Sequence, residues 1–227
     1  MDTSAYNSGA GGITLDQLPG NASEFALEQV EPIEQSPLKG KHIAFLGSSV
    51  TYGYAALGTS FVEYLCKRNQ CSYLKEAVNG TTLVDSRPNS YIHRLRNIAP
   101  NQKFDLFICQ LSTNDATTKQ PFGNVDDTDI NTITGAIRYI YNYVKKHWGC
   151  PFVMYSNPYY DDPYYQKMVS RVKELGYIHL IDMYSDADFN NISKDERALF
   201  MADPIHPTRS GYLKWVTPYI EGFLYRF

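Results

Sequence analysis

Apolar residues in this chain fall into short continuous runs, separated by stretches in which they recur every third or fourth position. The first run, His42-Ile43-Ala44-Phe45-Leu46, ends at Gly47 and predicts a strand buried on both faces. From about Thr59 to Asn69 the spacing turns helical, with Phe61, Val62, Leu65 and Cys66 facing inward. Leu74 to Val78 predicts a second strand and Tyr91 to Ile98 a helix, and Phe104 to Leu111 is the clearest strand after the first. A long polar loop from Ser112 to Asp129 leads into a helix carrying Ile133, Ile137, Ile140, Tyr141, Val144 and Trp148 at helical spacing. Phe152 to Tyr155 predicts a fourth strand, Tyr164 to Leu175 a helix, and Ile178 to Ile181 a fifth strand. A closing helix from Ser210 would present Trp215, Tyr219, Phe223 and Phe227 on one face. Strands alternating with helices predict parallel βαβ units covered on both faces, and so one α/β domain.

The first 38 residues do not share this alternation and read as an arm lying on a main domain of residues 39–227. Met1 to Gly12 are small and polar, which predicts a mobile start. Between Ile13 and Pro37 there is one helical candidate, with Asn21 and Glu24 as a capping pair and Phe25, Ala26, Leu27 and Val30 as its apolar stripe. The arm has too few apolar residues to fold alone.

Composition narrows the function classes. The 227 residues suffice for one sizeable core, and 21 basic against 24 acidic side chains give a net charge of −3. That balance argues against a nucleic-acid or anionic-membrane binder that works by bulk charge. No apolar run reaches the ~18 residues of a membrane span. The opening Met-Asp-Thr-Ser-Ala-Tyr lacks the basic and apolar regions of a secretion signal, so a cytoplasmic location is expected. Cys66, Cys71, Cys109 and Cys150 show neither zinc-like nor redox C-x-x-C spacing and read as free thiols.

Ligands of such sheets meet the loops at the carboxyl ends of the strands, and four polar clusters stand there. They are Gly47-Ser48-Ser49-Val50-Thr51 after the first strand, Asn79-Gly80-Thr81-Thr82 after the second, Ser112-Thr113-Asn114-Asp115 after the third, and Asp203-Pro204-Ile205-His206-Pro207 before the last helix. Acyl transfer at serine needs a hydroxyl, a base, a group orienting that base, and donors for an oxyanion. Ser49 on a tight strand-to-helix turn can supply the hydroxyl, His206 the base and Asp203 the orienting carboxylate. Gly80, bare of a side chain, could offer a backbone N–H at close approach. Asn114 could offer its amide and Ser49 its own N–H. Taken singly, Ser49 could be a helix cap, Gly80 a turn glycine and Asn114 with Asp115 an Asx turn. Asp203 and His206 could be a structural pair, or two metal ligands with Asp182 as a third by position only. His42, His93, His147 and His179 carry no such constellation.

Taken together and in this order, the four clusters resemble the SGNH (GDSL-type) hydrolases. That family has a serine in a G-D-S-x-T-like turn, a later glycine, an asparagine in G-x-N-D, and a D-x-x-H near the C-terminus. Here Ser48 replaces the usual acid and Ser112 stands where glycine is common, and the similarity runs from about Lys41 to the C-terminus. The resemblance implies a flavodoxin-like three-layer α/β/α sandwich around a mostly parallel five-stranded sheet. It implies nucleophile Ser49, base His206, orienting Asp203, and oxyanion donors at Ser49, Gly80 and Asn114, with no metal or other cofactor.

The expected activity is hydrolysis of a small acyl ester, acetyl first, on a hydroxylated small molecule such as a carbohydrate. Tyr159 and Tyr160, two of 19 tyrosines, lie beside Asp161 and Asp162 in the loop after the fourth strand and suit sugar rings. Covering the neighbouring helix start would suit them equally. An acyltransferase or a lysophospholipase could use the same residues. A flavin- or nucleotide-binding module is the reading from another class, with Ser48 to Gly53 cradling phosphate. It lacks both the Walker lysine pattern and G-x-G-x-x-G, and gives Asp203 and His206 no role. The sequence leaves the oligomeric state open.

Overall fold

The computed structural model describes residues 14–227. The expectation for residues 1–12 lies outside them. Five strands, β1 His42–Gly47, β2 Ser72–Ala77, β3 Leu106–Gln110, β4 Phe152–Tyr155 and β5 His179–Ile181, form one sheet in the order β2-β1-β3-β4-β5. Every neighbouring pair is parallel. Register pairs Gly47 with Ala77, Leu46 with Cys109, Gln110 with Tyr155 and Tyr155 with Ile181, so all five strands discharge their following loops at one edge.

In chain order the helices are α1 Ser49–Tyr52, α2 Phe61–Asn69, α3 Tyr91–Asn97, α4 Thr113–Thr117, α5 Ile133–His147, α6 Pro163–Leu175, α7 Ala187–Asn190, α8 Lys194–Phe200, α9 Arg209–Gly211 and α10 Thr217–Leu224. The period-two alternation of the strands sorts their side chains into two cores. Ala44, Leu46, Phe107, Cys109, Phe152 and Met154 pack with α3, α5 and α6. Ile43, Phe45, Ile108, Val153, Tyr155 and Ile181 pack on the other face with α2 and the C-terminal helices. The result is the expected three-layer sandwich. Outside the polar clusters, His42 stacks on Phe104 and His147 on Tyr143, His179 meets Phe227 edge-on, and His93 is exposed.

Three local expectations are corrected. The arm holds no helix with an Asn21 cap. It forms four 3-10 turns, Leu15–Gln17, Pro19–Asn21, Ser23–Phe25 and Leu27–Gln29. Pro19 opens the second of these turns, where its missing N–H costs nothing, and a side chain on Gly20 would collide with the Leu199 carbonyl and Thr208. Asn21 is buried instead, its Nδ2 donating to Leu15 O (2.7 Å) and Ala55 O (2.8 Å) and its Oδ1 accepting from Arg209 N (2.9 Å). Second, α7 and α8 fill a segment after β5 that the pattern left unassigned, and α4 opens the long loop after β3. Third, a π-helical turn over Tyr212–Val216 joins α9 to α10 and rotates the apolar face. Tyr212, Trp215, Val216, Ile220 and Leu224 are buried, while Phe227 is 48% exposed.

Candidate active site

The turn after β1 is shaped from beneath. Any side chain at Gly47 would collide with the Thr51 hydroxyl and press on the Gln110 amide, so glycine lets the chain curl tightly over β3. Gln110, the last residue of β3 and fully buried, turns its Oε1 into that curl. This oxygen accepts from Ser48 N (2.9 Å), Thr51 Oγ1 (2.8 Å), Thr51 N (3.3 Å) and Ser48 Oγ (3.3 Å). The Tyr155 hydroxyl stands 2.6 Å from Thr51 Oγ1 and braces the same turn from β4. Ser49 then starts α1, which ends at Gly53 in the left-handed region (φ 86°).

The structure brings Ser49, His206 and Asp203 into one line. Ser49 Oγ lies 2.8 Å from His206 Nε2, and His206 Nδ1 lies 2.7 Å from Asp203 Oδ2. With Asp203 ionised, Nδ1 carries the proton and Nε2 offers its lone pair to the Ser49 hydroxyl. Asp203 Oδ1 also accepts the backbone N–H groups of Ile205 (2.7 Å) and His206 (2.8 Å). Burial pushes the Asp203 carboxyl up. The hydrogen bond and charge of His206, with those two N–H groups, outweigh it and hold the pKa below the usual carboxylate value.

The loop carrying this pair is pinched shut by an antiparallel bridge between Met201 and Pro207 and by Ala202 N donating to His206 O (3.0 Å). Asn157, after β4, donates Nδ2 to Ile205 O (3.1 Å). The Tyr54 ring meets the imidazole edge-on, with centroids 5.3 Å apart.

On the other side of Ser49, Asn114 donates one Nδ2–H to Thr81 O (2.9 Å), which leaves the second for an incoming acceptor. Ser112 caps α4 by accepting Asp115 N (3.3 Å) and donates to Thr81 O (3.3 Å), a hydroxyl task that glycine could not perform. Asp115 is buried, accepting Leu83 N (2.7 Å) and Val84 N (3.2 Å). Burial pushes its carboxyl up to about 6 despite those bonds. Gly80 is exposed and nothing lies within 4 Å of where its Cβ would stand. Its glycine is needed for the left-handed φ of 73° and not, as expected, to clear space.

The tyrosine pair divides. Tyr159 is 46% exposed, but Tyr160 is 7% exposed and packs on Tyr165 and Tyr184, so it belongs to the core and offers no face to a sugar. Asp182 is engaged by Lys173. Sequence reasoning missed Gln110, Tyr54, Asn157 and the buried Arg94. Only Gln110, a polar residue closing an apolar run, and Arg94, a charge on the inner face of a helix, leave a signal in the sequence.

A sequence profile of the GDSL-like Lipase/Acylhydrolase family matches residues 45–214. No curated protein matches the chain. Among solved structures, a Lactobacillus plantarum protein superposes with a TM-score of 0.67 at 20% identity, over 82% of this chain and 97% of that one. A possible lipase from Chitinophaga pinensis gives 0.63 at 14% identity, over 82% of this chain and 98% of that one. A family two carbohydrate esterase from Clostridium thermocellum, solved with cellohexaose, gives 0.56 at 15% identity, over 86% of this chain and 66% of that one. Identities this low establish the shared fold.

Proposed function

The chain belongs to the GDSL-like lipase/acylhydrolase family, and from that premise we propose that it is a serine esterase that removes short acyl groups, acetyl first, from hydroxylated small molecules such as carbohydrates. One observation carries the reading. The 2.8 Å and 2.7 Å contacts link Ser49 Oγ, the two nitrogens of His206 and Asp203 in the order that proton transfer needs.

Ser49 Oγ adds to the ester carbonyl while its proton passes to His206 Nε2. Asp203 holds the resulting imidazolium through Nδ1–H. The carbonyl oxygen, now anionic, accepts from the Ser49 N–H, the Gly80 N–H and the free N–H of Asn114. Collapse expels the alcohol, which takes the proton from Nε2. Water then attacks acyl-Ser49 by the same relay and releases the acid. All of this uses the chain's own residues.

The carbohydrate part of the reading draws on the exposed Tyr159 ring in the loop after β4 and on the carbohydrate esterase among the structural neighbours. The test is an aryl-ester chain-length series followed by acetylated oligosaccharides, on the intact protein and on Ser49→Ala. The expected result is fastest turnover of acetate, release of acetate from the sugars, and loss of turnover in the variant with unchanged circular dichroism. Turnover surviving in Ser49→Ala overturns the nucleophile. Faster cleavage of long chains overturns the substrate class.

A further inference from the structure

Arg94 sits on α3 with only 7% of its surface exposed. Its guanidinium makes four hydrogen bonds, all to uncharged oxygens. Nη1 donates to Glu76 O (2.6 Å), Nη2 to Gly47 O (2.8 Å) and Thr81 Oγ1 (3.1 Å), and Nε to Asn89 O (3.1 Å). The Tyr91 ring lies under it, 5.2 Å from centroid to Cζ.

Its partners are not scattered. Gly47 is the last residue of β1, two positions before Ser49. Glu76 is the last but one residue of β2, just ahead of the loop that holds Gly80. Thr81 follows Gly80, donates its hydroxyl to Val78 O (2.7 Å), and accepts Asn114 Nδ2 on its carbonyl (2.9 Å). One planar fork therefore ties together the backbone segments that carry the Ser49 N–H and the Gly80 N–H, and through the Thr81 carbonyl it reaches the Asn114 amide at one remove. Burying a guanidinium away from water is costly even when its N–H groups are satisfied. A neutral side chain could not reach three diverging segments in one plane, because five N–H donors in a fixed fork are peculiar to arginine.

We propose that Arg94 is the positioning residue of the oxyanion donors, holding the nucleophile turn and the loop of residues 78–82 at the separation that lets their N–H groups converge on one oxygen. This rests on the esterase reading above. Misplacing catalytic donors by about 1 Å costs on the order of a hundredfold in rate.

The experiment compares Arg94→Met, Arg94→Lys and the neighbouring Arg96→Met with the wild type on an aryl acetate, with active sites counted by the end-point of fluorophosphonate labelling. Arg96 serves as the control because its side chain is 41% exposed and pairs with Asp85 away from this network. Arg94→Met should lower kcat per labelled site about a hundredfold with KM within about twofold, and should weaken a boronate that mimics the tetrahedral anion in the same proportion. Arg94→Lys should recover part of both losses, and Arg96→Met should match the wild type. A purely structural arginine would lower the melting temperature and leave kcat per labelled site unchanged. That result, or failure of even Arg94→Lys to fold, overturns the proposal. Turnover persisting in Ser49→Ala would instead strike the underlying esterase reading, so the two failures are told apart.

Discussion

The two sides of the candidate site are built differently. Ser49 is buried and its turn rests on Gln110, Thr51 and Tyr155, all fully buried or nearly so. The facing loop is more open, with 18% of the His206 side chain and 30% of the Asp203 side chain accessible. Asn157 ties it to the edge after β4 through Ile205 O. The Ser49 side is held by a polar network centred on Gln110 Oε1, which gathers Ser48 N, Ser48 Oγ, Thr51 N and Thr51 Oγ1 on one acceptor. The base side is a pinched loop whose geometry is set mainly by Asp203 bonding its own neighbours. The contrast teaches that the Ser49 turn is fixed by side chains from neighbouring strands, whereas the loop of His206 and Asp203 is shaped largely by bonds within itself.

The largest effect expected lies in the relay itself. Asp203→Asn should keep the loop but favour the wrong imidazole tautomer, lowering kcat by about 10⁴. Steady-state kinetics on an aryl acetate read this directly, and a loss below tenfold would mean that Asp203 does not orient His206.

A paired test addresses the contrast. Gln110→Leu deprives Ser48 N and Thr51 of their shared acceptor, so kcat should fall about a hundredfold and stability by about 2–4 kcal/mol. Asn157→Ala removes one bond to the other side and should cost less than about tenfold in kcat. Equal losses in kcat from the two variants would erase the distinction between the sides.

The remaining effect is on stability and follows pH. Asp115, raised from 3.8 to about 6 by burial, holds its proton more firmly in the folded chain than in the unfolded one. Its stabilising share is complete below about pH 4 and lost as pH rises through about 6, a change of about 3 kcal/mol. Asp203 is shifted the other way, so its share is present at neutral pH and lost as pH falls through its depressed folded value. The two sides thus answer acid with opposite signs. Denaturant unfolding of the wild type and Asp115→Asn at pH 4 and pH 7 should show the wild type losing about 2 kcal/mol relative to the variant over that interval. A constant difference would contradict it.

The sheet and the four polar clusters were legible in the sequence because a parallel sheet sends every strand's exit to one edge, so position along the chain converts directly into proximity. Helices α5 and α6 and strand β4 stood out through their periodicity alone. Other features were hidden for identifiable reasons. Gln110 stands out as a polar residue near the end of an apolar run, but its task shows only once the neighbouring turn is folded over it. Tyr159 and Tyr160 are adjacent in an irregular loop after β4, where one ring faces solvent and the other packs into the core, a division the pattern of residues does not announce. The π turn at Tyr212–Val216 shifts the period by one residue, which no regular template anticipates. The arm's capping pattern was overridden by tertiary partners of Asn21 far away in the chain.

One of those partners has a consequence for how the molecule is made. Asn21 accepts the amide of Arg209, 188 positions further on. At ribosomal speeds of about 5–20 residues per second, that partner emerges roughly 10–40 s after Asn21 itself. Through that interval the carboxamide has water where it will later have protein, and the early turns of the chain wait unfinished. Helix α9 closes turns that lie 188 positions before it, so this stretch of the polypeptide is stitched only after every strand of the sheet has been made.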